Sequence, residues 1–283
     1  MKPNVLQIWI QAARPKTLAV GICPVILGTF LTIQEGTFQP LAALAALVGA
    51  MLIQIGTNFA NDYFDFKKGA DTEDRLGPTR ATQAGWVTPS QMKTAFILAF
   101  SGAAAVGLYL VYCGGWPIVW IGVLSILAGI LYTGGPWPLG YLGLGDVFAF
   151  LFFGPVAVMG TYYVQAQVWS PDAFGMGVSV GLYAMAVLAV NNLRDRKQDK
   201  LANKNTLAVR FGATFVRWEY TIAVLVAALL PGVILPMLTL VFAIPQIRKV
   251  WTLDGPDLNP VLGSTGRLLV IFTGLMVFSA LLQ

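Results

Sequence analysis

The 283-residue chain contains no histidine, only two cysteines, and little charge: Asp, Glu, Lys and Arg together make up 11% of it. Each shortage excludes chemistry. Without histidine there is no Ser-His-Asp or Cys-His activation of a nucleophile, no His-ligated metal and no bis-His haem. Cys23 and Cys113 lie in or beside apolar segments with no metal-ligand spacing, and both read as packing residues. Any metal must therefore be a hard cation held by oxygen. Residues 1–17 carry Lys2, Arg14 and Lys16, but no small-residue cleavage site follows, so they do not read as a cleavable signal peptide.

What is present in abundance is apolar surface. The chain is 57% hydrophobic, with a mean hydropathy of +0.70, which places it among membrane proteins. Apolar stretches of spanning length fall near 18–34, 40–60, 91–112, 116–132, 146–166, 173–193, 213–230, 233–250 and 264–282, which gives an expectation of nine spans. The split within 213–250 rests on its length and on the turn marked by Pro231 and Pro236. With nine spans, all 18 basic residues fall at the N-terminus, in the loops after even-numbered spans or at the span ends beside them. The other side keeps only Glu35 and Asp172. The positive-inside rule then puts the N-terminus and the even loops in the cytoplasm. The net charge of +5 marks a surface that faces lipid headgroups and anions, not a nucleic-acid footprint.

Most of the charge lies in two loops, about 61–90 and 191–212, which follow the second and sixth spans. Each opens with Asn followed by spaced Asp, "NFANDYFD" (58–65) and "NNLRDRKQD" (191–199), a weak internal repeat of the kind that builds one central site from two halves. If the helices continue past the membrane surface, Asn58 with Asp62 and Asn61 with Asp65 are spaced i,i+4. Asn191, Asp195 and Asp199 form a stripe with Asn192 beside it. Two facing acidic rows repel unless cations sit between them. Mg2+ suits such rows, because it takes carboxylates and water and is completed by substrate phosphates. Arg75, Arg80, Lys204 and Arg210 lie just beyond the rows, placed to clamp a diphosphate. Lys67, Lys68, Lys197 and Lys200 read instead as solvated charges near headgroups.

"NDYFDFKKGADTEDRLGPTRATQAG", "LYTGGPWPLGYLGLGD", "FFGPVAVMGTYYVQ" and "NNLRDRKQDKLANKNTLAVRFG" resemble the UbiA superfamily of intramembrane prenyltransferases. More narrowly they resemble its branch acting on 1,4-dihydroxy-2-naphthoate in quinone biosynthesis, and "ARPKTL" (13–18) is similar too. The resemblance covers nearly the whole chain. It implies one all-α transmembrane domain over residues 1–283, with nine helices around a central cavity. It also implies a multi-pass protein of a bacterial or thylakoid membrane with its active site in the cytoplasm. The implied reaction moves a polyprenyl or phytyl group from its diphosphate to dihydroxynaphthoate, with loss of CO2. Mg2+ would be held by Asp62, Asp65, Asp195 and Asp199, and by Asp71 either directly or through water. One departure is visible: the acid after Asp65 is Asp71, six residues on, where many superfamily members have one four on.

The chemistry of the residues agrees with that reaction. Basic side chains would take up charge as the C–O bond breaks. Aromatic faces would shield the allylic cation, with Tyr63, Tyr132, Tyr141, Tyr162 and Tyr163 as candidates. The acceptor's proton or carboxylate needs a partner, for which Asp71, Asp146, Lys204 and Arg80 are open choices. A 4-hydroxybenzoate or other aromatic acceptor is the alternative within the enzyme class. A transporter is the alternative outside it, but transporters usually place ionisable groups near the bilayer midplane. Here the middles of the spans are almost free of charge.

Overall fold

The computed structural model describes residues 3–70 and 76–282, so Asp71 and Arg75 lie outside the described residues. Among those described there are helices and no strands. In a bilayer this follows from the sequence, since an apolar segment in hydrocarbon must satisfy its backbone polar groups within itself. Short signals set the helix starts. Asn4 and Gln7 form a capping box at α1 (Val5–Ala13), and Thr88 and Gln91 form one at α4 (Pro89–Gly114). Proline occupies the first turn of α2 (Pro15–Gln34), α3 (Pro40–Lys67), α4, α5 (Trp116–Leu131) and α8 (Pro171–Leu201). There its missing N–H costs nothing.

Between α5 and α8 lie α6 (Gly145–Leu151), a π-helical turn (Phe152–Val156) and α7 (Ala157–Ala166). Pro155 and the non-helical Gly154 bend the chain at that turn. A Cβ at Gly154 would stand 2.5 Å from the Gly177 carbonyl oxygen and 2.6 Å from the Gly181 Cα. Only bare backbone allows α8 to pass so close. The remaining helices are α9 (Leu207–Leu229), the short α10 (Ile234–Met237), α11 (Thr239–Thr252) and α12 (Asn259–Leu281).

Among the described residues, eight helical segments are long and apolar enough to cross a membrane. The expected fourth span is shorter, a 16-residue apolar helix, α5, or about 24 Å of rise against a hydrocarbon core of ~30 Å. Its contacts nevertheless run the length of α3. Ile118 clusters with Ala42, Gly129 lies against Thr57, and the Thr133 hydroxyl, just past the helix, donates to Asn61 Oδ1 at 2.9 Å.

The overhang expected of the acid-bearing helices is present. The 28 residues of α3 and the 31 of α8 rise about 42 and 46 Å, well beyond the apolar slab. Both acidic rows therefore lie on helix that continues past a spanning length. The largest core cluster joins α2, α7, α8, α9, α11 and α12 around Leu27, Tyr183, Tyr220 and Phe272. A second joins α1, α3 and α4 around Phe59, Met92 and Phe96. Between them lies a central cavity. Outward-facing Leu98, Trp120, Ile222, Val241 and Phe278 leave apolar surface that suits lipid rather than water.

Candidate active site

The cavity encloses about 630 Å³, the size of a pocket for one small molecule or part of a longer one. One end is polar. Asn58, Asn61 and Asp65 reach it from α3, and Asn191, Asp195 and Asp199 from α8, joined by Arg80, Lys204 and Tyr132. The rest is mainly apolar, with walls from α2, α4, α5 and α7 and from Phe148 and Phe152, whose rings stack at 5.8 Å.

Asp65 is buried and doubly held. Its Oδ2 accepts from Arg80 Nη2 at 3.1 Å and its Oδ1 from the Tyr141 hydroxyl at 2.9 Å. Lys68 Nζ lies 4.5 Å from the Tyr141 ring centre and Lys204 Nζ 5.7 Å, so that ring carries cations on its π surface. Lys204 Nζ stands 3.6 Å from Asp199 Oδ1. Asn61 accepts from Thr133, while Asn58 Nδ2 donates to the Ala13 carbonyl at 2.9 Å.

Several expected site residues stand elsewhere. Asp62 does not line the cavity. Its Oδ2 accepts from the backbone N–H of Ala81 at 2.9 Å and its Oδ1 from that of Thr82 at 3.1 Å. At 3.6 residues per turn, Asp62 sits roughly 60° around α3 from Asp65, enough to face the 81–82 turn instead. Asn192 is also off the cavity, and its Nδ2 lies 3.3 Å from both oxygens of Asp146. Arg210 is exposed and braces a loop, donating to the Asn205 carbonyl at 3.1 Å. Of the tyrosines, Tyr63 packs with Phe64 and Phe96. Tyr162 donates to Glu35 at the other end of the bundle, and Tyr163 stacks on Trp169. Tyr132 lines the cavity, and Tyr141 borders it through Asp65.

Arg14, Gln198, Thr133, Phe148 and Phe152 line the cavity without having been singled out as site residues in the sequence. The "ARP" of residues 13–15 was the one available signal for Arg14. It sits at φ 57°, in the left-handed region, at the junction of α1 and α2, a conformation that marks strain in a non-glycine residue.

Mg2+ is implied by the resemblance. Among the described residues no three Asp, Glu, Cys or His side chains converge to hold an ion by themselves. The donor set still fits Mg2+, which commonly takes one or two carboxylates and completes its shell with water and phosphate. Asp199 lines the cavity with one carboxylate oxygen, Oδ2, buried and lacking a hydrogen-bond donor, and Gln198 Oε1 is in the same condition. A buried acceptor without a donor is costly unless a ligand meets it.

The family model described as the UbiA prenyltransferase family matches residues 22–253. The chain is 44% identical over 219 residues to the 1,4-dihydroxy-2-naphthoate octaprenyltransferase of Escherichia coli, covering 75% of this chain and 70% of that one. It is 36% identical over 273 residues to the protein of the same name from Mycobacterium tuberculosis, covering 93% of each. Among solved structures it resembles an apo UbiA homolog from Aeropyrum pernix, with a TM-score of 0.73 at 12% identity, covering 94% of this chain and 99% of that one. It also resembles a UbiA homolog from Archaeoglobus fulgidus bound to DMAPP and Mg2+, with a TM-score of 0.66 at 13% identity over 97% and 99%. The structural likenesses concern the fold; the sequence match over most of the chain makes this protein a member of the UbiA prenyltransferase family.

Proposed function

We infer that this protein transfers a prenyl group from its diphosphate to 1,4-dihydroxy-2-naphthoate, with release of diphosphate and CO2, in menaquinone biosynthesis. The observation that carries the reading is the division of one cavity into a charged end and an apolar remainder. A prenyl diphosphate is divided the same way. The names of the relatives supply the acceptor and point to an eight-unit donor.

The donor's head would lie between the two acidic rows, with Arg80 and Lys204 donating to its oxygens. A bound Mg2+, held through Asp65, Asp195 and Asp199, would supply Lewis-acid neutralisation of the diphosphate. The allylic C–O bond breaks and the pair of electrons leaves with the diphosphate, whose growing charge Arg80 and Lys204 stabilise. Phe148, Phe152 and Tyr132 wall the cavity where the allylic cation forms, excluding water and offering π faces. The electron-rich naphthoate ring closes a new C–C bond to it, and loss of CO2 restores aromaticity. The C–CO2 electrons return to the ring.

The deciding measurement uses purified protein with Mg2+, prenyl diphosphates of several lengths, and either dihydroxynaphthoate or 4-hydroxybenzoate. The expected result is a prenylated, decarboxylated naphthoquinol and one diphosphate released per product. Product from hydroxybenzoate alone would reassign the acceptor. Diphosphate release that requires an ion gradient would favour transport.

The charged mouth is proposed to face the cytoplasm, with α5 as a ninth crossing. A cysteine at Glu35 or Asp172, in a Cys113→Ser background that keeps only the buried Cys23, is expected to react with an impermeant reagent added outside cells. A cysteine at Lys68 is expected to stay unlabelled until the cells are opened. The opposite pattern inverts the topology.

A further inference from the structure

Arg194 belongs to the second acidic row by sequence and has no assigned role. It is 2% exposed. A guanidinium so deeply buried is tolerated only if paired and hydrogen-bonded, and Arg194 spends its donors on three side chains. Nε donates to Asp195 Oδ1 at 2.7 Å and Nη2 to Asp195 Oδ2 at 2.5 Å, a bidentate pair. Nη2 also donates to Asn191 Oδ1 at 2.8 Å, and Nη1 to Asn259 Oδ1 at 3.0 Å. Asn259 opens α12, in a stretch that carries no motif, and its Nδ2 donates to the Leu76 carbonyl at 2.9 Å. The next residue, Gly77, touches the same guanidinium: a Cβ there would stand 2.8 Å from Nη2. A hydrogen-bonded path thus runs from the segment that leads to Arg80, through Asn259 and Arg194, to Asp195 and Asn191, both of which line the cavity.

We propose that Arg194 is a positioning residue, holding Asp195 and Asn191 toward the cavity, and that Asn259 locks this row to the segment bearing Arg80. The inference rests on the diphosphate-binding reading above. A carboxylate offers about four acceptor sites, of which the guanidinium takes two, leaving the others for a ligand in the cavity. The bidentate fork restricts the carboxylate's rotation, which one ammonium cannot do. Asn259 adds a coupling: the acidic row of α8 and the basic residue of the α3–α4 segment approach a ligand as one unit. Both halves of the site are then set before the ligand arrives, which lowers the entropic cost of binding it.

The test measures binding rather than turnover. Full-length protein in detergent is titrated calorimetrically with inorganic diphosphate at fixed Mg2+, and Tm is recorded without ligand. Arg194→Lys keeps the charge and loses the fork, and is expected to weaken binding roughly tenfold, the equivalent of one charge-assisted hydrogen bond. Asn259→Asp keeps an acceptor for Nη1 but cannot donate to Leu76, and is expected to weaken binding several-fold even if Arg194→Lys does not fold. Folded variants that bind diphosphate as the wild type does, whatever their Tm, overturn the proposal and leave Arg194 a purely structural residue. A wild type that binds no diphosphate removes the prenyl-transfer reading and this inference with it.

Discussion

Asp65→Asn is expected to reduce kcat on the order of a hundredfold or more at saturating Mg2+, the scale for losing one preorganised electrostatic contact in a closed site. The substitution removes a charge that faces the cavity. It also takes the charge of that carboxylate away from Arg80, which pairs with Asp65 Oδ2. Breaking a buried pair from one side costs ~3–5 kcal/mol in a sealed interior, and less at a cavity mouth that water can reach. Tm must therefore be measured beside kcat, so that lost folding is not counted as lost chemistry. Asp62→Asn provides the contrast. Its carboxylate holds the Ala81 and Thr82 N–H groups, so an amide there loses one backbone acceptor and loosens the turn that follows Arg80. The expected result is a higher donor KM with an unchanged Mg2+ concentration for half-maximal rate. Near-wild-type turnover by Asp65→Asn would remove Asp65 from the site. A shifted Mg2+ requirement in Asp62→Asn would restore Asp62 as a metal ligand.

Arg80→Ala and Lys204→Ala are each expected to raise the donor KM, or lower kcat, by about tenfold or more. Both side chains line the polar end of the cavity. A charge-assisted hydrogen bond in such a place contributes about 1.5–3 kcal/mol, and ~1.4 kcal/mol is a factor of ten. Arg80 stands against Asp65 at 3.1 Å and Lys204 against Asp199 at 3.6 Å. Each removal therefore also takes a positive partner away from an acid near the bound diphosphate, which adds to the loss. Lys67 is exposed and lies outside the cavity, 5.4 Å from the Tyr63 ring centre. Lys67→Ala is expected to change little, as exposed charges generally do. Steady-state kinetics with the donor varied at fixed acceptor and Mg2+ separate the cases. Equal small losses in all three variants would mean a diffuse basic field rather than a specific clamp.

The membrane class, the helical fold and the end of the bundle that carries the charge were all legible in the amino-acid order. These follow from properties local to a segment. An apolar run in lipid can satisfy its backbone only as a helix, and proline and capping residues mark where many of the helices begin. Helical spacing is local too, so the Asn191, Asp195 and Asp199 stripe was legible before any contact was known, and all three residues line the cavity. The resemblance in the Asn/Asp motifs pointed to the same family that the comparisons identify.

Which way each stripe faces, and what meets it, emerged from the packing of the helices. Spacing gives the angle between Asp62 and Asp65 about their own helix axis. It does not say that the 81–82 backbone turn comes to one and the cavity to the other. The same holds for Asn192, which turns to Asp146, and for Tyr63 and Tyr162, which pack or pair far from the charged end. Phe148 and Asn259 lie outside the quoted motifs, and Phe152 and Gln198 lie within them with nothing local to say what they do; their roles come from neighbours distant in the chain. The physical reason is that helix formation depends on segment hydropathy and backbone hydrogen bonds, whereas a site depends on the relative rotation of packed helices. That rotation is set by contacts such as Gly154 against Gly177 and Gly181, or Arg194 against Gly77 and Asn259, in which each partner is unremarkable until the other is in place.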